Sequence, residues 1–300
     1  MITLTKRVIA TVCYADIFDY PLTVEELRVW LIGNPGNPSL DIPGIVIKAT
    51  RNDTYVHLRK RQAIMRTRKR RHTISREKWQ LARSFARFFT LIPTVRLVGV
   101  TGGLSMNNAD RLDDIDLFFI TSPGTLWATR GLVTLLSDIL GIRRKTGDRQ
   151  FTDKICLNMF MAEDAVTLPL RERDLFSAHE VLQLKILWSR GNTYQEFLKR
   201  NAWVKRFLPG GWNSVTANSV TSPHARPHMF AWFLTPFLRL MEPYVFRYQL
   251  RYMQPRRTTE VIRPGFIRFH PNDARIWIQK KLAKRIRQFN IPLDRIFYRP

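Results

Sequence analysis

The sequence predicts an α+β fold: a small mixed sheet, preceded by an N-terminal helix and hairpin module and followed by a helical C-terminal part. Three observations predict it. Two helical periods and a hairpin signal occupy residues 4–58. Two apolar strands joined through a glycine turn occupy residues 95–120. Beyond residue 170 the apolar pattern turns helical. A chain of 300 residues is long enough to bury a large core. The pattern divides it at residues 1–72, 73–165 and 166–300.

In the first part, Leu4, Val8, Val12 and Ile17 stand at helical spacing. Asp19-Tyr20-Pro21-Leu22-Thr23 stops that helix and starts another. Thr23 and Glu26 have the spacing of a capping box, and Leu22 and Leu27 that of a hydrophobic staple, so a second helix is expected over Val24–Leu31. Residues 33–44, rich in Gly, Pro and Asn, read as loop. Ile45–Ala49 and Tyr55–Leu58 flank Asn52-Asp53, a hairpin signal. The order helix, helix, loop, hairpin resembles a winged-helix module whose recognition helix is replaced by a loop.

A basic run follows, from Arg59 to Arg71, and Glu77 is the only acid before Asp110. A solvated helix face normally interleaves acids with its bases. Arg66, Arg68, Lys69, Arg70 and Arg71 are therefore candidate contacts to a polyanion, RNA or DNA. Ser75 is the expected cap of a helix carrying Leu81, Phe85 and Phe88 on one stripe, which Pro93 ends. In the last part, Leu175–Trp188 and Tyr194–Val204 are expected helices, and residues 209–223 an expected linker. Met229–Phe246 is apolar, but Pro236, Arg239, Glu242 and Pro243 break it too often for a membrane-spanning segment. Asp273 is the expected cap of a final helix with Ile278, Leu282, Ile286 and Phe289 inward.

Lys and Arg number 49 against 24 Asp and Glu, a net charge of +25. Such a balance favours anionic partners and says nothing about fold. Cys13 and Cys156 permit one bridge at most, which fits a reducing compartment. The N-terminal residues lack the apolar region of a signal peptide, so a cytoplasmic location is expected.

The chemistry concentrates at residues 95–120. Val95–Val100 is a short apolar strand that runs into Thr101-Gly102-Gly103-Leu104-Ser105. Asp113-Asp114-Ile115-Asp116-Leu117-Phe118-Phe119-Ile120 begins the next strand. Alternation puts Asp114 and Asp116 on one face and Ile115, Leu117 and Phe119 on the other. Two carboxylates side by side call for a cationic partner, and Mg2+ or Mn2+ suits oxygen ligands of this kind. Glycines without Cβ atoms let backbone N–H groups approach phosphates closely.

An apolar strand ending in Gly-Gly, with Asp-x-Asp some ten residues later on a second strand, resembles the active-site unit of the DNA polymerase β-like nucleotidyltransferase superfamily. The resemblance covers residues 93–162. It implies that Asp114 and Asp116 are catalytic and hold the metal. It also implies that Gly102 and Gly103 bind the phosphates of a nucleoside triphosphate, with Ser105 or Thr101 in the place of the usual serine. A third acidic ligand normally lies on a later strand, here Lys154–Phe160. Ile155, Leu157 and Met159 are its expected core face, which leaves Cys156 and Asn158 toward the site, with Asn158 in the third metal position. Asp153 and Asp164 flank that strand as alternatives. Arg130 could meet phosphate, though a helix-surface role accounts for it; a helix-end role accounts for the Arg143-Arg144-Lys145 run, and a surface or core role, rather than that of a base, for His179. The implied activity is metal-dependent transfer of a nucleoside monophosphate to an acceptor, with release of pyrophosphate. The rival expectation is a nucleic-acid-binding protein of the same fold without catalysis.

Overall fold

A computed structural model of the chain describes residues 2–33, 41–145, 147–148, 150–217, 231–254, 261–268 and 274–298. In the first part, α1 (Leu4–Asp16), β1 (Leu22–Thr23), α2 (Val24–Val29), β2 (Ile45–Ala49) and β3 (Thr54–Leu58) follow in order. The strands form an antiparallel sheet in the order β1-β3-β2. The capping box closes as its spacing predicts: the Glu26 N–H donates to Thr23 Oγ1 at 3.1 Å, and the Thr23 N–H donates to Glu26 Oε2 at 2.8 Å.

From Ile64 onward the basic run and the helix expected after it are one helix, α3 (Ile64–Phe89). Ser75 does not cap it. It lies buried in the middle, where its Oγ accepts the Ala109 N–H at 3.1 Å. Residues 64–74 hold neither Gly nor Pro and are rich in Arg and Lys, so nothing delays the helix until Ser75. Farther along α3, Lys78 is almost fully buried. Its Nζ donates to the carbonyls of Arg111 at 3.1 Å and Asp113 at 2.6 Å and pairs with Asp153 at 2.6 Å.

The central sheet has six strands in the order β7-β4-β5-β6-β9-β8: β4 (Val95–Val100), β5 (Ile115–Thr121), β6 (Ile155–Ala162), β7 (Lys185–Ser189), β8 (Val261–Arg263) and β9 (Phe266–Arg268). The β5–β6 pair is parallel and the other pairs are antiparallel, so the sheet is mixed and the fold α+β. On one face, Ile115, Leu117, Phe119 and Ile155 pack with α3 and α5 (Leu126–Ile139). On the other, Phe118, Ile120 and Met161 share a core with α1, α6 (Leu175–Gln183) and α10 (Ala274–Ile286).

The C-terminal part is less purely helical than its sequence predicts, because β7, β8 and β9 all belong to it. The helix expected over Leu175–Trp188 stops at Gln183, and Lys185–Ser189 pairs with β4. Five residues with mixed apolar spacing fit either period, and the open edge of β4 decides between them. The expected linker begins as a helix, α8 (Pro209–Ala217), after α7 (Thr193–Arg200). Residues 218–223 of that linker, residues 34–40 of the expected loop and the expected cap Asp273 lie outside the described residues.

The apolar stretch with two prolines forms α9 (Ala231–Met253), which packs on α5. Each proline removes a helix hydrogen bond. Ties to α5 hold the helix in place: the N–H groups of Trp127 and Ala128 donate to Glu242 at 2.8 Å, and Gln249 donates to the Trp127 carbonyl at 2.8 Å. No helix among the described residues is long and apolar enough to cross a membrane. The chain closes with α10, which buries Ile278, Leu282 and Ile286, and α11 (Leu293–Phe297).

Candidate functional site

β4 leads directly into α4 (Gly102–Ser105), a single turn folded over the start of β5. The Thr101 N–H donates to the Asp116 carbonyl at 3.1 Å. Gly102 has a φ of +67°, and a Cβ there would lie 2.8 Å from Asp116 Oδ2. Both the backbone conformation and the close carboxylate require glycine at this position. Asp114, Asp116 and Cys156 each bring one ligand atom to within 4.8 Å of the others. Cys156 arrives by register, opposite Asp116 in the parallel β5–β6 pair. Ligands of one ion, or of two adjacent ions, bonded at roughly 2.0–2.3 Å each, span a similar distance.

The charges here are poorly neutralised. Burial pushes the Asp116 carboxyl up to about 7, and the neighbouring Asp114 carboxylate adds to the shift. Among the described residues Arg144 is the one cation bonded to the pair: its Nη1 donates to Asp114 Oδ2 at 2.6 Å while its guanidinium lies 4.3 Å from the centre of the Phe151 ring. The helix-end role expected of this run belongs to Arg143, which pairs with Asp138 at 2.8 Å. Burial, then the two carboxylates, drives the Cys156 thiol well above its ordinary range.

Asn158 is 4 % exposed; its Nδ2 donates to Thr101 Oγ1 at 3.4 Å, and its Oδ1 is buried without a partner. It reaches the expected side of the sheet by a different route. A register shift between Leu117 and Phe118 inserts Asn158 as an extra residue in β6, so Met159 pairs with Phe118. Met159 consequently packs with the α1 and α10 core rather than sharing a face with Ile155 and Leu157. A bulge of this kind shifts alternation by one residue, which a pattern of period two cannot foresee. Asp153 is taken by Lys78, and Asp164 is exposed in the short turn Glu163–Ala165. Neither belongs to the carboxylate group.

Gly103 lines the cavity beside the site, whereas Ser105 is buried and donates its hydroxyl to the Gly102 carbonyl at 2.8 Å. The Ser105 oxygen therefore braces the turn. The basic run is divided. Arg66, Lys69 and Arg70 are exposed, Arg70 pairing with Asp110 at 2.9 Å. Arg68 is held by Glu26 at 2.6 and 2.9 Å and lies 4.2 Å from the centre of the Tyr20 ring. Arg71 donates to the Phe18 carbonyl at 2.9 Å. Arg68 and Arg71 thus tie α3 to the first part of the chain. Arg130 bonds Gln249 on α9, away from the glycine turn, and burial lowers its pKa to about 10. His179 is a core histidine: it stacks on Tyr14 at 4.3 Å, and burial lowers its pKa to about 3.

A cavity of about 260 Å³ opens beside Gly102, Gly103, Asp116 and Asn158. Its far walls come from α1, α6 and α10 and include Tyr14, Phe18, Glu180 and Trp277. Burial pushes the Glu180 carboxyl up to about 7. Comparison of the chain with protein-family models, with curated proteins and with solved structures finds no match.

The donor set fits a divalent cation. Asp114 and Asp116 are hard oxygen ligands, and the partnerless Oδ1 of Asn158 is a neutral oxygen on the Asp116 side. Cys156 is a softer donor that suits transition metals better than magnesium. Arg144 and Glu180 were missed as members of this neighbourhood because each is far from Asp116 in sequence and neither belongs to a local motif.

Proposed function

We propose that the chain is a metal-dependent nucleotidyltransferase that moves a nucleoside monophosphate from a nucleoside triphosphate to an acceptor hydroxyl. The observation that carries this reading is the meeting of Asp114 and Asp116 under the Gly102 turn, with ligand atoms inside 4.8 Å. Bound there, Mg2+ or Mn2+ would supply charge stabilisation for the attacking and leaving oxygens of an in-line displacement. Asp114 and Asp116 would hold the ions, with Asn158 Oδ1 as a further oxygen ligand. Gly102 and Gly103 would leave room for the phosphates to approach the backbone. The acceptor oxygen forms a bond to the α-phosphorus, and the bond from that phosphorus to the bridging oxygen of the β-phosphate breaks. Pyrophosphate leaves, and the hydroxyl proton passes to water.

The winged-helix-like reading of the N-terminal part is supported by its antiparallel order β1-β3-β2 beside α1 and α2. A cytoplasmic location and an RNA or DNA contact through Arg66, Lys69 and Arg70 belong to the same proposal. A second reading, a nucleic-acid-binding protein of this fold without catalysis, is favoured by the Arg144–Asp114 pair and by the neutral Asn158.

Incubation with labelled nucleoside triphosphates, Mg2+ or Mn2+, and total RNA or a small-molecule extract, followed by mass analysis of every product, separates the two. Transfer that depends on metal and disappears in Asp116→Asn supports the enzyme. Salt-sensitive RNA binding, with no nucleotide consumed under any of these conditions, supports the second reading.

A further inference from the structure

The cavity beside Asp116 has a composition at odds with the rest of the chain. The protein carries 49 Lys and Arg residues, yet among the described residues none of them lines this space. Two carboxylates do, those of Asp116 and Glu180. The remaining wall is mostly uncharged and carries several aromatic rings, Tyr14, Phe18, Trp30 and Trp277 among them. Without a bound metal ion, a phosphate entering here would meet two acids and no cation among the described residues. The positive charge of the chain therefore says nothing about what this cavity takes.

Glu180 stands out among the carboxylates. Asp16, Glu26, Glu172 and Asp174 each pair with at least one arginine. Among the described residues no hydrogen bond or ion pair reaches Glu180, and the nearby Arg268 is bound to Glu172 at 3.2 Å. An unpaired carboxylate in a largely apolar wall is unfavourable unless a ligand completes it. Asn158 Oδ1, 4 % exposed at the level of its residue and without a partner, is a second acceptor on the same cavity. His179 lends no charge, since its ring is stacked on Tyr14 and held near neutrality by burial. Lys281 lies over the Trp277 ring at 4.8 Å, outside the lining. Two carboxylates and a partnerless amide oxygen, set beside aromatic rings with no Lys or Arg of the described residues in the lining, are complementary to a positively charged donor on an apolar body.

We propose that this cavity binds a small organic cation, an amine on an aromatic or aliphatic body, with its ammonium group against Glu180 and its body between the rings of α1 and α10. Its role as the acceptor's anchor rests on the nucleotidyltransferase reading; its binding does not. The cavity opens onto Gly102 and Asp116, so an acceptor held there presents its far end to the metal-binding carboxylates.

Calorimetric titration at pH 8, without metal or nucleotide, tests the site with three probes of one shape and different charge: phenethylamine, 2-phenylethanol and phenylacetate. The amine is expected to bind at least tenfold more tightly than the alcohol, and phenylacetate not at all. Glu180→Gln is expected to reduce the preference for the amine severalfold, with Asp116 keeping what remains of it, while leaving the alcohol's binding in place. That variant is expected to keep its fold, checked by a thermal melt, because among the described residues no hydrogen bond or ion pair reaches the Glu180 side chain. Trp277→Ala, at a half-exposed ring, is expected to weaken amine and alcohol alike. Phenylacetate binding as well as the amine, an unchanged preference in Glu180→Gln, or no binding by any probe would overturn the proposal. Adenosine or uridine binding more tightly than the amine would also overturn it, and would make the cavity a nucleobase site. Amine binding without pyrophosphate release from any triphosphate leaves the cation site standing and removes the transfer reading. Pyrophosphate release without amine preference does the reverse.

Discussion

Asp116→Asn separates stability from function. In the folded chain the Asp116 carboxyl titrates near 7 against an ordinary value of 3.8, chiefly because burial disfavours its charge and secondly because Asp114 repels it. The folded state therefore keeps a proton that the unfolded chain releases above pH 3.8. Stability from this group is complete below that value and is lost as pH rises through about 7. A difference of about three units at about 1.4 kcal/mol each sets a ceiling on the order of 4 kcal/mol. Partial access of water to the cavity lowers the expected gain to roughly 1–3 kcal/mol. Urea unfolding of both proteins in EDTA, from pH 4 to pH 8.5, measures it. The Asn variant should match the wild type near pH 4, pull ahead through pH 5 and 6, and hold a constant lead above pH 7. Manganese should stabilise the wild type and not the variant, since only a ligand bound to the folded state shifts the equilibrium. Parallel pH curves, or a variant less stable at pH 8.5, would refute the claim that Asp116 is a carboxylate held against its own stability.

Three further outcomes follow from the same geometry. Arg144→Gln removes the cation now bound to Asp114 at 2.6 Å, so manganese affinity should rise several-fold near neutral pH, read by calorimetry. Arg68→Met removes the guanidinium that neutralises the partly buried Glu26 and should cost roughly 3 kcal/mol by urea unfolding; replacing Arg66, Lys69 and Arg70 with Ser should spare stability and lower the slope of log K against log salt for RNA. His179 titrates near 3 rather than 6.5, so the unfolded chain alone gains its proton between those values and stability falls as pH drops across them; in His179→Phe that acid limb should flatten by up to about 1.4 kcal/mol per pH unit.

Sequence alone determined what is set within a few residues. The Thr23–Glu26 capping box closes because both partners lie in one helical turn. Asp114 and Asp116 share a side because a strand repeats every two residues, and Gly102 sits where the chain must fold back onto Asp116. What surrounds those carboxylates was decided by tertiary structure. Arg144 meets Asp114 and Glu180 joins the cavity across separations that no local period reports. Lys78 claims Asp153 because α3 lies on one face of the sheet and buries that ammonium near the loop before Asp114. Met159 changes face because β6 carries an extra residue that only its pairing with β5 reveals. Lys185–Ser189 is a strand because β4 offers it an unpaired edge. Burial, charge pairing and strand edges are properties of the assembled chain, and they make the cavity acidic and aromatic in a protein whose sequence is overwhelmingly basic.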